Sequence, residues 1–251
     1  MPSNNPAFLL KPGEIHVWLF DLDNPYQDSS TWEGHLSEEE ANHSKLYRLE
    51  QDRLRFIVRR GILRKLLGEY TGLEPSGIAF QTNPYGKLSL PSNPLKFNLS
   101  CCQSRVIFAF ALEMEIGVDL EQVRPLAELE RMVKGWLSPA ERAGLLTLAP
   151  VSQMNAFFHI WTQKEALLKA HGKGLSMPLQ EFSVSNDPNK AGQLYSINCG
   201  SDDDSHWRMI SHVPEAGWWA AVCVRAEKNL QILWSMQDLV DLQSTVPSWK
   251  M

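Results

Sequence analysis

Two short acidic motifs contain the residues of this sequence that are best suited to chemistry. In the first, GVDLE, Asp119 and Glu121 are two positions apart, so on a strand their side chains share one face. In the second, WTQKEALLK, Glu165 and Lys169 are four positions apart, so they share one face of a helix. Three carboxylates with lysines beside them suit a divalent metal that holds a phosphorylated substrate, because Mg²⁺ prefers oxygen ligands and lysines neutralise phosphate charge.

Each motif has a simpler interpretation when it is taken alone. An Asp-x-Glu pair at the end of a strand is usually just solvated, and a glutamate four residues before a lysine forms a surface ion pair worth about 0.3–0.5 kcal/mol. The combination favours a site, since Lys87 and Lys164 could also neutralise phosphate. Arg55 and Arg59 lie on the basic face of an earlier predicted helix, which is either a further anion contact or a solvated surface.

Periodicity and capping residues predict the elements that position these motifs. Two capping boxes, Ser37 with Glu40 and Ser138 with Glu141, each mark the start of a helix. Residues 106–112 and 116–120 are predicted to pair as a β-hairpin. The other predicted strands span residues 15–22, 95–99, 182–184, 207–212 and 218–224, and the longer helices span 51–70, 126–136, 139–148 and 154–171.

The order of strand, helices and strands occurs twice, with a boundary near residue 115. This order predicts an α+β fold of two similar halves packed against each other. We expect an N-terminal half over residues 1–115 and a C-terminal half over residues 116–235. Residues 236–251 form a short amphipathic tail to which no element is assigned.

Composition limits the classes of function that the chain can have. A formal net charge of −5 argues against a nucleic-acid binder that works by broad phosphate neutralisation. The longest apolar runs have about seven residues, well short of the ~20 that a membrane span needs, and the first twelve residues show no targeting pattern. The four cysteines lack metal-type spacing. We therefore expect a cytoplasmic protein with reduced thiols that binds neither nucleic acid nor membrane.

Taken in order, the motifs resemble those of the Sfp-type 4′-phosphopantetheinyl transferases. These enzymes move the phosphopantetheine arm of coenzyme A onto a serine of an apo carrier protein. The resemblance covers roughly residues 36–224. It rests on NPYGK at 83–87, FNLS at 97–100, GVDLE at 117–121, WxxKEAxxK at 161–169 and GKGL at 172–175. It implies a pseudo-dimer of two α+β halves with the active site in the cleft between them.

The resemblance also implies a role for each matching side chain. The implied Mg²⁺ (or Mn²⁺) ligands, which act together with the pyrophosphate of coenzyme A, are Asp119, Glu121 and Glu165. Lys169 would contact that pyrophosphate and help 3′,5′-ADP to leave, and Glu141 is the candidate general base for the carrier serine. The remaining residues implied in coenzyme A binding are Arg55, at the 3′-phosphate, and Lys87, Ser100, Cys101 and Lys164.

One motif departs from the family pattern, which usually reads Phe-Asn-x-Ser-His-Ser. Here Cys101 and Cys102 replace the histidine and the second serine. A thiol is a weak, uncharged donor, and a hydrogen bond to a charged group is worth about 1.5–3 kcal/mol. Coenzyme A affinity would therefore be weaker by one to two orders of magnitude, unless backbone N–H groups or Arg55 compensate.

The implied partners are coenzyme A and an acidic carrier-protein helix that presents the serine, in fatty-acid, polyketide or peptide synthesis. Met132, Val133 and Trp136 either contact that carrier or pack on their own core. Since one chain contains both halves of the site, a monomer is expected. Two alternatives remain: a catalytically weak protein that binds coenzyme A or carriers, which Cys101 favours, and a metal-dependent hydrolase of nucleotide pyrophosphates.

Overall fold

The computed structural model describes residues 8–23, 29–174, 177–197, 206–226 and 230–236. The helices in these parts are α1 (Ser29–Glu33), α2 (Glu38–Ser44), α3 (Glu50–Thr71), α4 (Leu129–Trp136), α5 (Pro139–Leu146) and α6 (Pro150–His171). The strands are β1 (Glu14–Asp21), β2 (Gln81–Thr82), β3 (Leu88–Ser89), β4 (Leu95–Cys102), β5 (Arg105–Leu112), β6 (Ile116–Gln122), β7 (Tyr195–Ile197), β8 (Trp207–His212), β9 (Trp218–Arg225) and β10 (Gln231–Met236). No described helix is long and apolar enough to cross a membrane.

Two four-stranded sheets lie back to back, each with a long helix on its outer face. The first sheet has the order β10-β1-β5-β4 and the second has the order β6-β9-β8-β7. Alternate residues of β1 explain the layers: Trp18 and Phe20 pack in the core with α3, whereas Val17 and Leu19 pack against apolar residues of β6 and β9. A third core joins the second sheet to α6.

The two halves repeat one plan, which confirms the predicted α+β fold of two similar units. Each half has a short helix started by a capping box, at Ser37 and at Ser138, and a 22-residue helix with a strand before it. Both long helices end at a glycine in the left-handed region, Gly72 with φ 73° and Gly172 with φ 69°. A side chain is strained in that conformation, so glycine is the favoured end signal. The antiparallel strand order β1-β5-β4 matches β6-β9-β8.

The predicted β-hairpin of residues 106–112 and 116–120 is wrong. β5 pairs with β1 on one side and β4 on the other, so it has no free edge to offer β6. Residues 113–115 instead carry the chain across to the second sheet, where β6 pairs with β9. The predicted strand at 182–184 is also wrong, since those residues form no ladder.

The last described strand returns to the first half. β10 pairs in parallel with β1, from Glu14 opposite Gln231 to Leu19 opposite Met236. The sequence-based division placed this segment in the second half, and the pairing corrects that placement. The tail beyond residue 236 lies outside the described residues.

Candidate active site

The two halves meet where edge strand β4 lies along edge strand β6. Side chains at alternate positions of β4 share one face and bridge the gap. The Asn98 amide oxygen accepts a backbone N–H of β6 at 3.0 Å, and the Ser100 hydroxyl donates to Oδ1 of Asp119 at 2.7 Å. Cys102 Sγ lies 3.7 Å from Glu121 Oε2. The FNLS and GVDLE motifs therefore face each other across this seam.

Gly117 brings helix α6 against the same strand. A Cβ at this position would lie 2.1 Å from the carbonyl oxygen of Ala166 and 2.2 Å from the backbone nitrogen of Ala170. Only a residue without a side chain allows so close an approach of strand and helix. The consequence is that Lys169 reaches the Asp119 carboxylate of β6, while Glu165 lies one turn before Lys169 on the same side of α6.

Asp119, Ser100 and Lys169 form a buried polar network at this contact. The Lys169 ammonium donates to Asp119 Oδ1 at 2.6 Å and to Ser100 Oγ at 2.8 Å. Asp119 is only 3% exposed, and its second oxygen, Oδ2, is buried with no hydrogen-bond partner among the described residues. An unpaired carboxylate oxygen in such a place is costly, so it indicates a position where a ligand belongs.

The other two predicted metal ligands have different surroundings. The pKa of Glu165 is raised to about 7, chiefly by burial and also by the charges of Asp119 and Glu121, while Lys169 opposes the rise. Glu121 is held in place by Arg124 at 2.9 Å and by the indole N–H of Trp161 at 3.3 Å. Within the described residues, no three acidic, histidine or cysteine side chains already form a group that could hold a metal ion.

A cleft of about 350 Å³ opens beside this network. Its walls come from both halves, and Glu165 is the only carboxylate among the described residues that line it. Four cationic side chains contribute to the lining: Arg59, Arg60, Lys87 and Lys169. The remaining lining residues are Tyr85, Gly86, Leu88, Phe97, Asn98, Leu99, Leu168, Gly172 and Gly174. The cleft thus suits a ligand that carries several negative charges.

Glu141 and Lys164 do not belong to this cleft, in contrast to the sequence-based expectation. They form a buried ion pair at 2.9 Å, with side chains 1% and 0% exposed. The Glu141 carboxylate also accepts the backbone N–H groups of Ser138 and Val184 at 2.7 and 2.8 Å. The structure therefore places neither side chain where its expected role requires it, which is at the carrier serine for Glu141 and at a phosphate for Lys164.

The first half contains a matching ion pair, which supports a structural role for the second. Glu40, from the other capping box, lies 2.5 Å from Arg64. Arg64 also donates to the carbonyl oxygens of Pro75 and Ile78, just as Lys164 donates to two carbonyl oxygens of its own half. In each half, the pair therefore ties the long helix to a capping box and a loop.

Lys87 lines the cleft, but its ammonium is already engaged. It donates to Glu115 at 3.0 Å and to the carbonyl oxygen of Ala170 at 2.8 Å, and burial lowers its pKa. Asn83 donates to the carbonyl oxygen of Gly172 at 2.7 Å. The NPYGK turn therefore caps the C-terminal end of α6, where cations and donors satisfy the last carbonyl groups.

Arg59, rather than Arg55, supplies the arginine at the cleft. Arg55 is bound by Asp23 through two hydrogen bonds and is not among the described lining residues. Arg59, one helical turn further along α3, lines the cleft and donates to Cys101 Sγ at 3.0 Å. The cysteine that departs from the family pattern thus has a guanidinium group beside it, and Ser100, beside it in the chain, belongs to the Asp119 network.

Helix α4 packs on its own half. Met132, Val133 and Trp136 are partly buried against the second core, and Trp136 stacks on Trp161 with ring centroids 4.3 Å apart. The alternative in which these residues pack on their own core is therefore the one that the contacts favour.

Comparison with known proteins identifies the family of this chain. A family model described as the 4′-phosphopantetheinyl transferase superfamily matches residues 115–223. The chain is 33% identical to the 4′-phosphopantetheinyl transferase HetI of Nostoc sp. over 87% of this chain and 91% of that protein. It is 32% identical to a putative 4′-phosphopantetheinyl transferase of Synechocystis sp., over 78% of each chain. It is also 32% identical to the transferase Sfp of Bacillus subtilis, over 68% of this chain and 76% of that one. The chain therefore belongs to the 4′-phosphopantetheinyl transferase superfamily and is an enzyme of this class.

Proposed function

We propose that the protein transfers the 4′-phosphopantetheine group of coenzyme A to a serine of an apo carrier protein, with Mg²⁺, and releases 3′,5′-ADP. The observation that carries this proposal is the cleft between the halves, where arginines of the first half face Glu165 and Lys169 of the second. The serine oxygen would form a bond to the phosphorus that bears pantetheine, and the bond from that phosphorus to the oxygen bridging the pyrophosphate would break.

The cationic residues divide naturally along an extended anionic substrate. Arg59 and Arg60 form the wall on the α3 side. Glu40 lies 3.4 Å from Arg60, so Arg59 supplies the positive charge that suits the nucleotide phosphate. Lys169 lies next to the carboxylates on the α6 side, which suits the pyrophosphate. Lys87 contributes chiefly by fixing the turn that forms one wall of the cleft.

A divalent cation fits the carboxylates of the seam. Asp119, Glu121 and Glu165 would hold it, and the unpaired, buried Oδ2 of Asp119 is the feature that supports this assignment. When bound, Mg²⁺ supplies Lewis-acid stabilisation of the charge that develops on the phosphate oxygens. Mn²⁺ has the same preference for oxygen ligands and could replace it.

Glu165 is better placed than Glu141 to take the proton of the acceptor serine. A serine hydroxyl is a weak nucleophile until a nearby base accepts its proton. Glu165 lines the cleft, so its carboxylate is within reach of a hydroxyl that enters it, whereas Glu141 is buried in its pair with Lys164. A carboxylate has two oxygens, so one can bind an ion while the other accepts a proton.

The carrier must approach the mouth of this cleft. Because both walls come from one chain, we expect a monomer to be active, and a cytoplasmic location accords with the chemistry of the substrates. The carrier could belong to fatty-acid, polyketide or peptide synthesis.

Mass spectrometry of an apo carrier protein tests the proposal directly. The purified enzyme is incubated with carrier, coenzyme A and Mg²⁺, with a serine-to-alanine carrier as the control. A mass gain of one phosphopantetheine on the intact carrier alone, lost with a chelator and with Asp119→Asn, is expected. Turnover of coenzyme A without any carrier would instead favour the pyrophosphate hydrolase, and binding without turnover would favour the inactive binder.

A further inference from the structure

Lys169 lies between the cleft and the Asp119 carboxylate of β6. Its ammonium lies 2.6 Å from Oδ1 of Asp119 and 2.8 Å from the hydroxyl of Ser100, which itself donates to the same Oδ1. One oxygen of Asp119 therefore accepts two hydrogen bonds, one of them from a full positive charge, while Oδ2 has no partner among the described residues.

With the Lys169 ammonium on Asp119, binding of a metal ion to the same carboxylate is disfavoured. Asp119 is buried, so solvent screens little of the repulsion between the ammonium and a metal ion on the same carboxylate. Glu121 is likewise already paired, with Arg124. The carboxylates are thus neutralised by the protein's own cations, in agreement with the lack of a ready-made metal group in the described parts of the chain.

Lys169 also faces the cleft, so it has an alternative position. The Lys169 side chain is 27% exposed, whereas the side chain of Asp119, taken without its backbone, is 5% exposed. A lysine has a flexible four-carbon stem, and its donors can turn to new acceptors without movement of the helix. Pyrophosphate oxygens in the cleft would offer acceptors with more negative charge than one shared carboxylate oxygen.

We propose that Lys169 is an exchangeable counter-ion, which neutralises Asp119 in the free enzyme and transfers to the pyrophosphate when coenzyme A binds. This inference rests on the proposed function, because it takes coenzyme A as the ligand. It makes divalent-cation binding and coenzyme A binding mutually reinforcing. Thermodynamic linkage requires each ligand to raise the affinity for the other by the same factor.

Mn²⁺ titration followed by electron paramagnetic resonance tests this coupling without any turnover, since the signal of free hexaaqua-Mn²⁺ falls as the ion binds. In the wild-type enzyme, saturating coenzyme A is expected to tighten Mn²⁺ binding by about tenfold, within the ~5–150-fold usual for coupled sites. 3′,5′-ADP, which has no pyrophosphate, should tighten it much less.

The variant Lys169→Met should bind Mn²⁺ about tenfold more tightly than the wild type when coenzyme A is absent, since no ammonium competes for Asp119. The matched control is Lys134→Met, which removes the same charge from an exposed position of α4 and should leave Mn²⁺ affinity unchanged. Lys169→Gln, which keeps a donor but not the charge, guards against a packing defect in the methionine variant and should also tighten binding.

Equal or weaker Mn²⁺ binding by both Lys169 variants, with folding shown intact by circular dichroism, would overturn the inference even if the carrier is modified normally. Failure of the proposed function looks different. In that case the wild type modifies no carrier, and coenzyme A leaves Mn²⁺ binding unchanged, so the coupling between the two ligands is lost as well. Tighter Mn²⁺ binding by Lys169→Met would still show that the lysine competes with the ion for Asp119.

Discussion

Replacing Glu141 by glutamine is expected to destabilise the fold far more than it slows the chemical step. In the native structure, the Glu141 carboxylate accepts two backbone N–H groups and the ammonium of Lys164, and both side chains are buried. Loss of one charge leaves the other buried without its counter-ion, which typically costs about 3–5 kcal/mol. For a protein of this size, that lowers Tm by roughly 6–20 °C.

Urea denaturation and single-turnover transfer at saturating coenzyme A measure the two effects separately. The matched comparison is Glu40→Gln, which breaks the equivalent pair with Arg64 in the first half. Because Glu40 also lies 3.4 Å from Arg60 of the cleft lining, this variant is compared by its stability and not by its transfer rate. It should also lower stability, though less, because Glu40 is less deeply buried than Glu141. The double variant Glu141→Gln/Lys164→Met removes both charges and should recover part of the loss, as paired sites are not additive.

The opposite pattern would refute this reasoning. A general base typically contributes 10²–10⁴-fold to rate. If Glu141→Gln lowered the transfer rate by that much and left the urea midpoint unchanged, Glu141 would act in catalysis, and the buried pair would have to open during the reaction.

Three further predictions follow from particular contacts. Burial lowers the pKa of His16 and His159 to about 4, so these histidines take up protons in the unfolded chain before they do so in the folded protein as the pH falls. The free energy of unfolding should therefore drop between pH 6.5 and 4, by roughly 2 kcal/mol per histidine at pH 5. Urea midpoints that do not change with pH would contradict this prediction. Arg59→Ala should weaken coenzyme A binding by about 10- to 100-fold in calorimetry, the loss of a charged hydrogen bond, while Arg55→Ala changes it little; equal losses would show that both arginines reach the ligand. Gly117→Ala should lower the free energy of unfolding by more than the ~1–3 kcal/mol usual for overpacking, because the new Cβ would meet the backbone of α6 rather than a movable side chain. A melting temperature equal to that of the wild type would show that the strand and the helix can move apart without cost.

Helix boundaries could be predicted from the sequence because their signals are local. Both capping boxes and the terminal glycines of α3 and α6 act through neighbouring backbone groups, and all are present. The direction in which Lys164 points also follows from local geometry, although the family motif places it directly beside Glu165 in the sequence. Each helical residue turns by about 100°, so Lys164 points away from the face shared by Glu165 and Lys169. Helical geometry therefore separates Lys164 from the two cleft residues, and the structure shows that its face is buried.

Strand partners were harder to predict, because pairing depends on distant residues. Alternation predicts that β5 and β6 are strands, but it does not show that both edges of β5 are already used. The cleft could be predicted only in part for the same reason. Asp119 and Glu165 were identified by their motifs, whereas the choice of Arg59 over Arg55 depends on Asp23, which binds Arg55 from outside the helix.

The parallel pairing of β10 with β1 has a kinetic consequence. β10 follows every other described strand and helix in the chain, so the first sheet cannot be completed until residues 231–236 have been synthesised. Until then, β1 has an exposed edge, which is a template for pairing with other chains. Contacts between residues so far apart in sequence also form slowly. The first half is therefore the part of the nascent protein most exposed to aggregation. Its folding can finish only when β10 is available, even though the helices that form the cleft and most of the core come earlier in the chain.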